Sequence, residues 1–375
     1  MRSLRICIVG LGGNVHTKRW VEALAGRGHR VLLVTTEPSL ELPVSVFNPY
    51  EAMGRWRLPK VHRVVAHVLT AQAVNRFKPD LVHMHFVSEQ PLIERLAARW
   101  PRFVVSVWGR DVIWDGPQPP PVAWVNRTRR ILALADEVTA TTEFLADHTR
   151  PLLRPGQPLA VIPFGVDTDV FRPQDHGTDN GTLTIGFAKH FRRKYGPDVL
   201  IRSMVRVRRE CPAARLIMVG SRDRQPYQRL VDELGLNDVV SLQGPLAYES
   251  VPAFMQRLAV FCMPSVYESE TFGVAAVEAA ACGIPVVASR VGGVQAAVVD
   301  GTTGTLVAAN DPDALADALI ALLKHPERRY SMGIAGRAFA CDRYQWVASV
   351  DAMESVYARV VSSSPRRHAV AGSSR

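Results

Sequence analysis

MPSVYESETFGVAAVEAAACGIPVVASRVGG, residues 263–293, decides how this chain is read. Glu270 and Glu278 bracket the segment Thr271, Phe272, Gly273, Val274, which leads into the small residues Ala275, Ala276, Ala279, Ala280 and Ala281. The pattern predicts a helix from about Gly273 and a strand after Gly283. The backbone amides of residues 271–274 then lie at a helix N-terminus, where orphan N–H groups and the helix dipole favour an anion. Glu278 falls about two turns beyond Glu270 and close to the same face. A carboxylate there can accept two hydrogen bonds from vicinal hydroxyls such as those of a ribose. The alanines let the helix pack close to its sheet.

Outward from this segment, short β-branched runs alternate with helical patterns, which implies parallel sheets covered by helices on both faces. The strand candidates of the first half are residues 5–9, 30–35, 81–85, 103–107 and 137–141. Those of the second half are residues 184–187, 216–219, 239–242, 260–263, 285–289 and 305–307. Two successive sets predict two doubly wound domains. The expected break is IPFGVDTDVFRP, residues 162–173, where Pro and Gly punctuate the chain. The Pro-rich stretch DGPQPPPVAW, residues 115–124, is expected to be an exposed connection. A disordered tail is expected over residues 361–375.

Upstream, GFAKHFRRKYGPDVLI (residues 186–201) ends a strand at Gly186 and starts a helix near Pro197, with Lys and Arg clustered between. Cations just past the C-terminal end of a parallel strand sit where α/β sheets bind ligands. Lys189 and Lys194 could hold a diphosphate as point charges; taken alone, the run also reads as solvated charge. At the N-terminus, IVGLGGNVHTKRWVEAL ends a strand at Gly10 and starts a helix near Val15. Gly12 and Gly13 between them could bring backbone amides to a phosphate or merely make a tight turn. The spacing is not GxGxxG, and Glu37 only loosely matches the acid a dinucleotide fold requires.

Composition narrows the classes. The chain has 375 residues, 47% hydrophobic, enough for two cores. No apolar stretch reaches the ~18 residues of a membrane span, and the opening apolar run reads as a buried strand instead of a signal peptide. Five scattered cysteines without a CxxC pair argue against a disulfide framework or zinc site and for a cytoplasmic setting. The formal charge of +10 is concentrated in residues 1–160, with 21 Lys and Arg against 13 Asp and Glu. This suits an anionic membrane surface, a phosphorylated acceptor or nucleic acid, and equally plain solubility. In MGRWRLPKVHR, residues 53–63, Arg55, Arg57, Lys60 and Arg63 surround Trp56 and Leu58, a pattern suited to a membrane interface or to a solvated face.

Two further motifs invite metal readings. VHMHF sends His83 and His85 to one face of a strand, without further ligands at metal spacing. Structural or substrate-contacting roles fit them better. Asp167-Thr-Asp169 spells the DxD of metal-dependent glycosyltransferases but follows the interdomain break, so no metal ligand is assigned there.

The 263–293 segment resembles the glutamate-x7-glutamate signature of retaining GT-B glycosyltransferases, family 4. HTKRWVEALAGRGHRV, ADEVTATTEFL, VIPFGVDTDVFRP, KYGPDVLI and GVQAAVVDGTTGTLV resemble further family segments in order, over nearly the whole chain. Two positions depart from the pattern. Trp108 of SVWGRDV stands where the family often has a histidine, and Gln295 stands where a glutamate commonly follows the paired glycines.

The resemblance implies two Rossmann-like domains facing across a cleft. These are an acceptor domain over residues 1–165 and a nucleotide-sugar domain over 174–342, with a last helix over 343–360 crossing back to the first. It implies catalytic roles for Glu270, Lys189 and Lys194, with Glu278 on the donor ribose. Gly12, Gly13, Thr271, Phe272, Gly273 and Val274 are the remaining donor-binding candidates; His16, His85, Trp108 and Asp111 are the acceptor-side ones. The expected enzyme is a metal-independent hexosyltransferase with a nucleotide-diphosphate sugar as donor and no cofactor. Its hydroxyl acceptor is lipid-linked or a cell-surface glycan precursor, met in the cytoplasm or at the inner membrane face, and nucleic acid is not expected. A non-catalytic nucleotide-sugar-binding protein and a nicotinamide-dependent oxidoreductase are the alternatives.

Overall fold

A computed structural model describes residues 2–37, 42–53, 59–87, 96–116, 118–174 and 183–363. The chain divides into two compact units, one of residues 1–162 with 350–375 and one of residues 163–349. Residues 54–58, which carry Arg55, Trp56, Arg57 and Leu58, lie outside the described residues, as does most of the expected tail.

The first unit holds a parallel sheet in the order β3-β2-β1-β4-β5-β6-β7. Its strands are β1 (Arg5–Val9), β2 (Arg30–Val34), β3 (Ser45–Phe47), β4 (Leu81–His85), β5 (Phe103–Ser106), β6 (Glu137–Ala140) and β7 (Leu159–Val161). Strands such as RICIV and LVHMH are buried almost throughout, because helices cover both faces and a parallel sheet has no wet side. Two edge strands escape the sequence reading: SVF and LAV are three residues long and exist only by pairing with β2 and β6. The last helix, Trp346–Ser362, contributes Tyr357, fully buried, to this unit. Arg27 reaches Asp351 and Glu354 at 2.7 and 3.1 Å, and Arg359 reaches Glu137 at 2.6 Å.

The second unit holds the sheet β10-β9-β8-β11-β12-β13, again parallel. Here β8 is Thr184–Ala188, β9 Arg215–Val219, β10 Val240–Gln243, β11 Val260–Met263, β12 Val286–Ser289 and β13 Gly304–Val307. In both sheets the strand order reverses direction about the centre, between β1 and β4 and between β8 and β11. The crevice beyond the strands' C-terminal ends at such a switch point is the ligand site of open α/β sheets.

Two expectations need correction. The last helix is not 343–360: Arg343 ends the helix Pro326–Arg343 and a separate helix runs Trp346–Ser362, taking in residues 361 and 362. Tyr344 breaks the run because its carbonyl accepts the Val166 amide and its ring packs on Phe272 and Phe339. The Pro-rich connection is shorter than 115–124, since Pro121 caps the helix Val122–Ala133. Among the described residues no helix is long and apolar enough to cross a membrane.

Candidate active site

At the switch point of the second sheet, the chain leaving β8 carries Lys189 and the chain leaving β11 carries Glu270. Lys189 Nζ lies 3.3 and 3.4 Å from the two Glu270 carboxylate oxygens, and both side chains are largely buried. Burial pulls the Lys189 ammonium down, but Glu270, Tyr195 and Glu278 together outweigh it and hold its pKa above the usual lysine range. Lys189 is therefore a fixed cation. Lys194 follows on a short turn, Arg193–Tyr195, and its Nζ donates to the Ser269 carbonyl at 2.8 Å. The Tyr195 ring sits 5.2 Å from the Lys189 ammonium and 5.6 Å from that of Lys194, near enough for cation–π attraction.

Glu270 opens the turn into the helix Val274–Ala281, whose N-cap, Gly273, has φ of +88°. That left-handed conformation suits glycine and turns the chain sharply from loop into helix. Two more glycines press the turn from the other side. A Cβ on Gly293 would stand 1.8 Å from the Thr271 carbonyl oxygen, and one on Gly292 would stand 2.4 Å from that of Glu270. The Gly293 amide donates to the Glu270 carbonyl at 2.9 Å. Backbone thus clamps the Glu270 turn where side chains could not fit. Phe272 serves packing, its buried ring meeting Phe164 and Tyr344 edge to face; only its backbone remains a donor-binding candidate. Glu278 is buried in the helix, and its charge reaches Lys189.

The helix is anchored from its far end. Arg337 donates to the carbonyls of Thr168, Phe171 and Ala281 at 2.7–2.9 Å, satisfying the helix C-terminus and the linker residues together. Arg337, Tyr195 and the paired glycines carried no spacing signal, and the sequence reading assigns them no role. Asp167 accepts the amides of Asp169 and Val170, so its carboxylate makes a turn. No metal-binding cluster of His, Cys, Asp and Glu is found among the described residues.

In the first unit the switch point gathers the acceptor-side candidates. His85 ends β4, with its ring centroid 5.0 Å from Trp108 and 4.4 Å from His83; His16 lies 6.1 Å from Trp108. His83 is saturated, bonded to Tyr357 Oη and Ser106 Oγ at 2.7 Å each. Neither ring nitrogen of His85 has a partner among the described residues, and burial lowers its pKa to about 3. It is a neutral imidazole, and an unsatisfied buried polar group calls for explanation. Asp111 turns inward and accepts the amides of Val87, Trp108 and Gly109 at 2.7–3.2 Å, so it ties the two loops after β4 and β5. The amides of Gly12 and Gly13 are directed at Thr35 Oγ1 and a Glu37 carboxylate oxygen, at 2.9 and 2.6 Å.

Comparison with known proteins adds a family to this geometry. Residues 171–339 match the family described as Glycosyl transferases group 1, and residues 11–170 match Glycosyltransferase Family 4. The chain is 36% identical over 276 residues to a GDP-mannose-dependent alpha-(1-6)-phosphatidylinositol monomannoside mannosyltransferase of Mycolicibacterium smegmatis, covering 68% of this chain and 69% of that one. It is 30% identical over 401 residues to a D-inositol 3-phosphate glycosyltransferase of Thermobifida fusca, covering 92% and 88%. Sucrose-phosphate synthase from Thermosynechococcus elongatus has the same fold, with TM-score 0.81 at 22% identity over 96% of this chain and 99% of that one. Sheets of seven and six parallel strands, matches across both halves and relatives at this identity make the chain a GT-B glycosyltransferase of group 1, family 4, which transfers a sugar from a nucleotide sugar.

Proposed function

We propose that this enzyme transfers a hexosyl group, with retention, from a nucleotide-diphosphate sugar to a hydroxyl of a phosphorylated polyol, without a metal in the donor site. The observation that carries the reading is the buried Lys189–Glu270 pair, with Lys194 and Glu278 beside it, at the switch point of the second sheet. As the glycosidic bond breaks, the sugar takes on oxocarbenium character and negative charge grows on the leaving diphosphate. Lys189, Lys194 and the amides entering the helix Val274–Ala281 stabilise that charge, the main electrostatic task of the site. Glu278 binds the ribose and Glu270 lines the transferring sugar. In this reading the second unit binds the donor and the first the acceptor.

The acceptor class is supported by the two relatives, one named for a phosphatidylinositol monomannoside and the other for D-inositol 3-phosphate. The basic first half suits such an anion, carried at the inner face of a membrane. A thermal-shift screen of nucleotide sugars tests the donor half, because a ligand that binds only the folded state raises Tm. GDP-mannose is the first candidate. Transfer is then followed by NMR of the product's anomeric proton. No Tm rise with any nucleotide sugar, or an inverted product, would overturn the reading.

A further inference from the structure

A cavity of about 170 Å³ opens in the first unit beside the ends of β4 and β5, lined by Phe86, Arg110, Asp111, Trp124, Arg127 and Thr128. We propose that it is a phosphate-ester subsite, in which Arg110 and Arg127 take the phosphate oxygens and the Trp114–Trp124 indole pair covers the adjoining carbon skeleton. The inference deepens the acceptor reading above and rests on it.

Charge is the first argument. Two guanidiniums, Arg110 and Arg127, line one recess, and a guanidinium matches phosphate oxygens in charge and geometry. The acid among them, Asp111, is 3% exposed and spends its carboxylate on the amides of Val87, Trp108 and Gly109, so its charge faces backbone. Arg110 Nε lies 3.8 Å from Asp115, with its side chain 63% exposed. Shape is the second. Phe86 holds φ of +67°, a left-handed conformation rare for a bulky residue, just where the chain turns from β4 into the cavity wall. Such strain clusters at ligand sites.

The third argument is the rim. Trp114 and Trp124 meet edge to face at 5.6 Å, and Trp114 is 40% exposed while its Nε1 is fixed to the Gln118 carbonyl. An indole with an anchored N–H and an exposed face suits a ligand that is polar at one end and carbon-rich at the other. The volume admits a phosphate and the carbons next to it, well short of the ~300 Å³ that enclose a drug-sized molecule. The rest of the acceptor therefore stays outside.

A soluble phosphate ester and a lipid headgroup present the same chemistry, and two arms separate them. In the first, the full chain is titrated calorimetrically with myo-inositol 3-phosphate, inorganic phosphate and unphosphorylated inositol. In the second, it is sedimented with phosphatidylcholine vesicles with or without phosphatidylinositol. Binding in either arm, with inositol itself at least about tenfold weaker, is expected. Arg110→Gln and Arg127→Gln should each lower that binding about tenfold or more, since a charge-assisted hydrogen bond is lost. Nucleotide-sugar affinity should stay within about twofold. Capture of the soluble ester assigns a free phosphate; enrichment only on phosphatidylinositol vesicles assigns a headgroup. The proposal is overturned if both arginine variants bind like the parent, or if a chain that binds its nucleotide sugar takes neither ester nor vesicle. Loss of nucleotide-sugar binding in the parent would strike the donor reading instead, and the phosphate titration would still decide the cavity.

Discussion

The two switch points are built by opposite means. In the second unit the ligand-facing groups come mainly from two short stretches, residues 189–195 and 268–293, braced by backbone contacts that only glycine permits. In the first unit the corresponding region draws single side chains from the helix Val15–Gly26, the ends of β4 and β5 and the helix Val122–Ala133, and holds them by rings and capped loops. A local construction leaves a spacing in the sequence. A distributed one leaves only isolated residues, which change as freely as the loops that carry them. On the proposed reading, the donor side is thus written into two continuous stretches and the acceptor side into dispersed residues.

The comparison breaks most directly at Lys189. On the proposed reading, Lys189→Ala removes a cation from the leaving diphosphate, and it strands the buried Glu270 carboxylate. It should cost roughly a hundredfold or more in kcat, and about 3–5 kcal/mol of stability in the second unit. Glu278→Ala should instead weaken donor affinity without unfolding. Calorimetry and denaturant titration separate the two effects. Near-normal turnover in Lys189→Ala would mean that the charge balance at the leaving group lies elsewhere. Because the Lys189 pKa is raised, its contribution should hold from neutral pH through the ordinary lysine value of 10.5 and fall only above it.

Gly293→Ala comes next. Its Cβ would meet the Thr271 carbonyl at 1.8 Å, so the Glu270 turn must move. Overpacking of this kind costs about 1–3 kcal/mol, and donor affinity should fall although no donor-binding side chain has changed. An alanine variant with parental affinity would show that the backbone clamp is dispensable and would weaken the contrast drawn between the units.

Legibility followed the same divide. Residues 263–293 announced their strand, helix and paired glutamates because all three lie within one βαβ passage. The lysines were legible as charge near a strand end. Tyr195 was not, although it follows Lys194 directly, since no spacing marks an aromatic ring as lying beneath two ammoniums. Arg337 binds carbonyls at Thr168 and Phe171, far away in sequence, and left no local trace. The strands SVF and LAV were missed because three residues carry no periodicity, and pairing with a neighbour makes them strands. The break at Tyr344 was invisible for a related reason: its carbonyl is held by Val166 and its ring by Phe272, both far away in sequence. On the acceptor side the residues were named singly, but the rings that gather His16, His85 and Trp108 appear only in three dimensions.

A smaller effect tests the distributed side through pH. His83 and His85 are both held well below the usual histidine pKa of 6.5, chiefly by burial, His85 at about 3. Below 6.5 the unfolded chain binds protons that the folded imidazoles refuse. Their stability contribution is therefore full above that pH and is lost as pH falls towards 3, by up to about 1.4 kcal/mol per pH unit per group. Asp111 opposes this. Burial raises its carboxyl to about 6, so acidification between 6 and 3.8 favours the folded state. With two histidines against one aspartate, urea midpoints should fall between pH 7 and 5. His85→Gln, which removes one of the two, should flatten the slope; an unchanged slope would mean that His85 is not buried neutral in solution.

The smallest expected effect is none at all, and it bears on how the donor side balances charge. A diphosphate leaving group needs cations. The DxD sequence at Asp167 and Asp169 would supply a divalent ion if its carboxylates converged on a ligand. Asp167 instead accepts the amides of Asp169 and Val170, at 3.0 and 3.2 Å, closing a turn just after the chain enters the second unit. Asp167 thus shapes a turn, whereas the Lys189 ammonium is held charged by its neighbours and Lys194 is aligned by the Ser269 carbonyl. Two ammoniums and a helix N-terminus can carry the charge that two carboxylates and a metal carry in other transferases. Transfer should therefore continue at an unchanged rate in excess EDTA, and Asp169→Asn should leave kcat within about twofold, as expected of a surface substitution. Loss of transfer in EDTA, with rescue by Mg²⁺ or Mn²⁺, would move the leaving-group charge off the lysines and remove the basis for calling the donor site locally complete.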